Sequence, residues 1–322
     1  MRISCLRIRR TLAILSVGLM AIGVSAEAQN FGPWGTPVSV DPARLNHVNT
    51  SFNDGCPIES ADAHMLFFAS DRSGNLDIWV AFREKDSDPW GSPVALPAPV
   101  NTGANEFCPT PLPGNGLLFV STRANNCGGA GNNPDIYYTR LHPVLGWLPP
   151  EPLSCDVNSG AEEWSPSLVE AEGETTLFFS STRSGTQKIY SSTLSQNGEW
   201  GPAAPVDELN WAGAQDARPN VRKDGLEIVF DSTRGGGAPD IYTASRSSIF
   251  DPWSAPVPLG PISIRHPPKP ERRYRATESG SILDPRGRTT QVTRVATYSS
   301  RNDQDLGTLK DHGANTESSL RS

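Results

Sequence analysis

The sequence predicts an all-β protein, a β-propeller built of four-stranded antiparallel blades. Three observations predict it. An apolar Leu-x-Phe-type run ending in Arg occurs four times, and its arginines, Arg72, Arg123, Arg183 and Arg234, lie 51, 60 and 51 residues apart. A Trp heads each unit, at Trp34, Trp90, Trp147, Trp200 and Trp253, with spacings of 56, 57, 53 and 53. Gly and Pro number 29 each in 322 residues, which favours turns and disfavours long helices. Four short strands in a repeating unit of about 50 residues are the pattern of propeller blades.

Each unit reads as strands A to D. Strand A follows an acid and a Pro, as in Glu106 and Pro109 or Asp216 and Pro219. Strand B is the Leu-x-Phe run, for example Leu117-Leu118-Phe119-Val120-Ser121. Strand C is Asp77-Ile78-Trp79, Asp135-Ile136-Tyr137, Lys188-Ile189-Tyr190 or Asp240-Ile241-Tyr242, and strand D begins at the Trp. These are the β-branched and aromatic residues that strands prefer. Gly114-Asn115-Gly116 and Asp224-Gly225 supply turn chemistry between A and B. Asn49, Asn101, Asn158 and Asn210 fall between D and the next A, where Asx-turns are expected.

The pattern Leu-x-Phe-x-Ser-x-Arg-x-Gly, then Asp-Ile-Tyr, closing on Arg83, Arg140 or Arg246, resembles the WD40-like (PD40) repeat of TolB-type propellers. The resemblance covers about residues 34–260 and recurs four times in register. Unit 3 departs from it, with Lys188 in place of Asp and Thr193-Leu194 in place of the closing Arg. The resemblance implies an exported bacterial propeller used as a binding platform. It brings no general catalytic set.

Five Trp-headed D strands accompany only four A–B–C sets. The orphan strand from Trp34 to Val40 is expected to close the ring on the last set, which predicts five blades with the fifth degraded or missing. Residues 261–322 lack Trp, Phe, Cys and Met and lack the repeat, so an irregular, disordered basic tail is expected there. A changed reading frame or a divergent fifth blade are the other readings of that segment.

Charge divides the chain the same way. Residues 27–260 hold 13 basic and 28 acidic residues, a net −15, which argues against nucleic acid as partner. Residues 261–322 carry +4. Four Arg and a 13-residue apolar run, Leu12 to Val24, precede small residues, so residues 1–28 read as a signal peptide and 29–260 as the exported propeller. Periplasm or exterior is the expected compartment, with no membrane span after cleavage. Cys56, Cys108, Cys127 and Cys155 remain. Cys127–Cys155 is expected as a disulfide between neighbouring connections on one face. Cys56 and Cys108, at equivalent positions in adjacent units, either pair or stay as buried thiols. No metal or other cofactor is expected, since no Cys-x-x-Cys pair occurs and the five His are scattered.

Two sets of side chains invite a role. The repeat Arg are expected to fork onto the strand-C acids, Arg72 with Asp77, Arg123 with Asp135 and Arg234 with Asp240, with Arg183 the exception. Asp54, Glu106, Glu162, Glu163 and Asp216 enter the innermost strands and would ring one mouth of the channel, where they could bind a ligand. The other reading pairs them with the repeat Arg. The favoured function is a non-catalytic, monomeric module of the envelope or exterior that binds a protein, peptide or glycan. The alternative is a carbohydrate-active hydrolase or lyase using acids at the mouth. Two free acids with raised pKa in a pocket would favour the enzyme.

Overall fold

Strand A meets strand B, B meets C and C meets D in each of four sheets, and the sheets stand as the four blades of a propeller. The computed structural model describes residues 39–41, 47–128, 131–259, 275–276, 281–283 and 289–291. The expected signal peptide, all but the end of the Trp34–Val40 strand and most of the tail lie outside them. No helix among the described residues is long and apolar enough to cross a membrane.

Blade 1 comprises β1 (Asp54–Glu59), β2 (Met65–Ser70), β3 (Asp77–Phe82) and β4 (Val94–Ala95). Blade 2 comprises β5 (Glu106–Leu112), β6 (Gly116–Ser121) and β7 (Asp135–His142), with its outer strand split into β8 (Gly146–Trp147) and β9 (Glu151–Pro152), both on β7. Blade 3 is β10 (Glu163–Ala171), β11 (Glu174–Ser181), β12 (Lys188–Thr193) and β13 (Ala204–Pro205). Blade 4 is β14 (Asp216–Val221), β15 (Glu227–Ser232), β16 (Asp240–Ser245) and β17 (Val257–Pro258).

The Leu-x-Phe run is apolar on both faces because each sheet is packed between neighbours. Phe67 and Ile78 of blade 1 meet Leu117, Phe119 and Tyr137 of blade 2. Leu118 and Ile136 then meet Leu177, Phe179 and Tyr190. Phe178 and Ile189 meet Ile228, Phe230 and Tyr242. The outer side of blade 1 is covered by Val40 and Val48, which arrive from the preceding segment. The four described blades come round far enough that Lys223 Nζ donates to Ala61 O, from the A–B turn of blade 4 to that of blade 1, at 3.2 Å.

Strand A carries the repeat's Pro for a specific reason. A register shift interrupts its pairing with B in every blade. The residue before each Pro is left-handed there: Cys56 (φ 47), Cys108 (φ 46), Ser165 (φ 51) and Arg218 (φ 54). A bulge leaves one residue unpaired, and Pro, having no N–H, loses nothing in that place. Gly225 (φ 74) turns A into B in blade 4, under Val169 and Ile249, where a side chain would clash.

Three expectations change. In blades 1 and 4 strand D does not begin at the Trp: its ladder is two residues, Val94–Ala95 and Val257–Pro258, past a Pro that cannot donate. Trp147 and Trp200 of blades 2 and 3 do pair, with Leu141 and Leu194. In blades 1 and 4 the Trp is buried under the Arg that follows strand C, with Arg83 4.0 Å over Trp90 and Arg246 4.2 Å over Trp253. Asn101 and Asn158 are not Asx-turns but strand mimics. Asn158 accepts from Ile136 N at 2.9 Å and donates to Ile136 O and Leu153 O at 3.0 Å. The described residues give the four recognisable blades, as expected, and the closing strand and the place of a fifth lie almost wholly outside them. The tail, expected to be irregular, holds a three-stranded sheet, β18 (Arg275–Ala276), β19 (Ser281–Leu283) and β20 (Thr289–Gln291), in stretches too short to show periodicity.

Both cysteine pairs are disulfides, Cys56–Cys108 between the bulges of blades 1 and 2 and Cys127–Cys155 between two loops of blade 2. The second closes a 28-residue separation, which in the chain-entropy model stabilises by about 3–4 kcal/mol. The Cys127→Ser/Cys155→Ser double variant should therefore lose about that much in urea unfolding while keeping its far-UV spectrum. An unchanged midpoint would show that the loop is fastened by other contacts.

Candidate functional site

The B–C and D–A connections share one face, and the acids that enter the innermost strands lie there. Each is buried inside its own blade. Glu106 accepts from Thr102 N (2.8 Å), Thr102 Oγ1 (2.9 Å), Ser121 Oγ (2.8 Å) and Arg123 (3.0 Å). Glu163 repeats this with Ser159 N (2.9 Å), Ser159 Oγ (2.7 Å), Ser181 Oγ (2.7 Å) and Arg183 (3.0 Å). Asp216 accepts from Trp211 N (2.7 Å), Ser232 Oγ (2.6 Å) and Arg234 (2.7 Å). Asp54 pairs with Arg72 at 2.7 Å and accepts from Thr50. The side chains of Glu106, Glu163 and Asp216 are fully buried. Glu162, which is partly exposed, takes no part.

The repeat Arg thus pair with the acid of strand A, which corrects the expected fork onto strand C. Register explains it. Glu106 lies opposite Ser121 across the A–B ladder, so Arg123, two residues past Ser121, reaches back to it. The same guanidinium donates to Val100 O at 2.5 Å and lies 5.4 and 5.2 Å from the centroids of Phe119 and Tyr137. One side chain therefore joins strands A, B and C and the D–A loop.

The strand-C acids have other surroundings. Asp77 accepts from Ser73 Oγ, Asp135 lies beside Glu163, and Asp240 is exposed. Burial, then the charge of Glu163, pushes Asp135 up to about 7, against the amide of Asn125. Lys188, the departure from the repeat, bonds Asp216 across the junction at 3.0 Å. Burial alone would raise Asp216. The Ser232 hydroxyl, Arg234, Trp211 N–H and Lys188 outweigh it and hold the carboxyl below its ordinary range.

The surface of this face is therefore made by other residues. A 470 Å³ cavity lies among Gly103, Ala104 and Asn105 of one loop, Thr122, Arg123 and Ala124 of another, and Asn132. Phe52 and Trp211 stand 49% and 59% exposed in the D–A loops of blades 1 and 4. Neither was singled out in the sequence, though both replace the small or hydroxyl residues of the other units: Phe52 stands where Ala104 and Ala161 do, and Trp211 where Thr102 and Ser159 do.

No family model and no curated protein matches the chain. Among solved structures it is similar to TolB from Acinetobacter baumannii, at 18% identity and a TM-score of 0.42, over 74% of this chain and 53% of that one. The chain thus spans about half of that protein's length. It is also similar to a thermostable family-43 glycoside hydrolase, at 14% and 0.45, over 67% and 77%. An endo-arabinase from Bacteroides thetaiotaomicron gives 14% and 0.44, over 78% and 91%. No residue role or activity passes from them to this chain.

Arg123→Ala should cost about 3–5 kcal/mol, as removing one partner of a buried pair does. A double-mutant cycle should show coupling of Arg123 to Glu106 and little to Asp135; the reverse would restore the strand-C fork. The depressed Asp216 makes an acid-side prediction. Its unfolded form binds the proton more tightly, so its contribution is full above the unfolded value of about 3.9 and disappears as pH falls through the lower folded one. Urea midpoints measured down to about pH 2 should fall less steeply in Asp216→Asn than in the native protein.

Proposed function

We propose that this chain is an exported, non-catalytic β-propeller whose mouth face binds a protein, peptide or glycan in the periplasm or outside the cell. The observation that carries this reading is the use of the mouth acids. Glu106, Glu163 and Asp216 have no exposed side-chain surface, and each already holds an Arg and at least one hydroxyl. Glycoside chemistry needs two carboxyls flanking a substrate, one of them poised as an acid. The acid with the most raised pKa, Asp135, is 3% exposed and lies within a blade junction. The exposed apolar material of this face is instead aromatic, Phe52 and Trp211, beside a cavity of blade 2 lined by Asn105, Asn132, Thr122 and Arg123. Rings of this kind supply large contact area at low entropic cost and stack equally on sugars and side chains. Two disulfides suit an oxidising compartment.

The oxidised full chain, screened against peptide and glycan arrays and envelope extract, should bind a ligand that it does not turn over. Trp211→Ala and Phe52→Ala should each weaken that binding by about tenfold, the effect of losing an aromatic anchor, without lowering the melting temperature. Release of sugar from arabinan or an aryl glycoside by the native protein would sink the proposal in favour of the hydrolase.

A further inference from the structure

The three junctions between consecutive described blades each hold one shared backbone contact. The N–H of the mouth acid donates to the carbonyl that precedes strand C of the blade before it. Glu106 bonds Leu76 O at 2.7 Å, Glu163 bonds Pro134 O at 2.8 Å and Asp216 bonds Gln187 O at 3.0 Å. The first residue of strand C is thereby set beside the next blade's acid. At the third junction that residue is Lys188, whose Nζ lies 3.0 Å from Asp216 Oδ2, 2.5 Å from Trp211 O and 2.8 Å from Ala214 O. Two cations, Lys188 and Arg234, there face one carboxylate.

At the second junction the charges are reversed. Asp135 takes the place of the lysine, so two carboxylates, Asp135 and Glu163, lie together, and the one cation there, Arg183, is paired with Glu163. Glu163 Oε1 already takes Arg183 and two hydroxyls, while Oε2 takes only Ser159 N–H. Asp135 is 3% exposed, and its Oδ1 is buried without a hydrogen-bond partner. A buried carboxylate in that state is costly unless a positive charge reaches it. The surroundings are held in place. Asn125, whose amide also faces Asp135, accepts from Cys127 N at 2.8 Å, and Cys127 is bonded to Cys155. Asn133 Nδ2 fastens the same loop to Gly160 O at 2.8 Å. The first junction is arranged differently. Asn75 Nδ2 bonds Thr102 O and Ala104 O, the counterparts of the two carbonyls that Lys188 holds, and Ser73 bonds Asp77 Oδ2, although Asp77 Oδ1 is also without a partner.

We propose that the junction of blades 2 and 3 binds a Ca²⁺ ion between Asp135 Oδ1 and Glu163 Oε2, standing in for the ammonium that Lys188 supplies one junction further on. Carboxylate oxygens with water to complete the set suit a hard cation; the Asn125 NH2 is a donor toward Asp135 and is no ligand. Two carboxylates on a preformed loop place the affinity in the range of about 0.1–1 mM found for extracellular modules.

The oxidised full chain, stripped with EGTA, is titrated with CaCl₂ by calorimetry near neutral pH, and its melting temperature is read with and without millimolar Ca²⁺. One ion should bind per chain and raise the melting temperature. Asp135→Asn should weaken binding by at least about tenfold. Asp135→Lys should abolish the calcium response yet melt no lower than the calcium-free native protein, because the variant carries its own cation. That variant separates a lost site from a lost fold. No heat and no shift in the native protein would overturn the proposal, and so would a full calcium response in Asp135→Lys. A melting temperature that falls as pH rises from about 5 to about 8, identically with and without Ca²⁺, would assign the junction to a shared proton instead.

Discussion

The buried carboxylate at the head of each strand A is the constraint from which the blade is built. A charge removed from water is tolerated only inside a full set of donors. Supplying that set fixes the rest of the repeat. The Ser at the end of strand B provides a hydroxyl, the Arg two residues later provides a guanidinium, and the D–A loop provides an N–H. The Arg must in turn be housed, and the Phe of strand B and the aromatic of strand C flank it, at 5.5 and 4.9 Å for Arg183 over Phe179 and Tyr190. Ser-x-Arg, Leu-x-Phe and Asp-Ile-Tyr are therefore one interaction seen at three points in the chain. Losing any member leaves a buried donor or acceptor without a partner, so the four copies are under the same physical constraint.

Strands A, B and C were legible because each has a strong local signature: β-branched and aromatic runs bounded by Gly turns. The outer strand was not. No stretch of its ladder is longer than two residues, and the Trp that marks it in blades 1 and 4 is a plug for the core rather than a paired residue. The Arg partner is hidden in the sequence for a related reason. Asp77 is five residues from Arg72 and Asp54 is eighteen, and nearness in sequence favoured the wrong one. Only the ladder register, Asp54 opposite Ser70, brings the true partner close. The recurrence of the acid at a fixed distance from Ser-x-Arg carried that information. Of the surface features, Phe52 and Trp211 left only a negative trace, as departures from their units.

Departures of this kind obey a rule that the repeat itself imposes. Where a side chain completes the node, a change must be compensated. Trp211 occupies the place of Thr50, Thr102 and Ser159 and cannot supply their hydroxyl; in that blade, and no other, the acid gains Lys188 as an extra donor. The two oddities of units 3 and 4 are one paired substitution, which frees a large aromatic ring for the surface at no loss to the node beneath it.

Where only the backbone is constrained, side chains are free to vary. The bulge before each Pro holds Cys, Cys, Ser and Arg in turn, all at the same left-handed φ. The shared conformation is required by the register shift; the chemistry on it is not. Two of these positions became a covalent tie between blades 1 and 2, the third donates from Ser165 to Cys108 Sγ at 3.4 Å, and the fourth pairs with Asp231. A propeller separates its two tasks in this way. Residues that recur in every blade are held by what they bury, and residues that differ at equivalent positions are the ones through which this chain can act differently from a uniform ring of blades. The position that opens strand C belongs to the second class, since Asp, Asp, Lys and Asp follow one another there without altering the backbone contact beside the first three. Charge at the junctions is thus set independently of the fold, and that independence lets one junction carry its own ammonium while its neighbour must draw a positive charge from outside the chain.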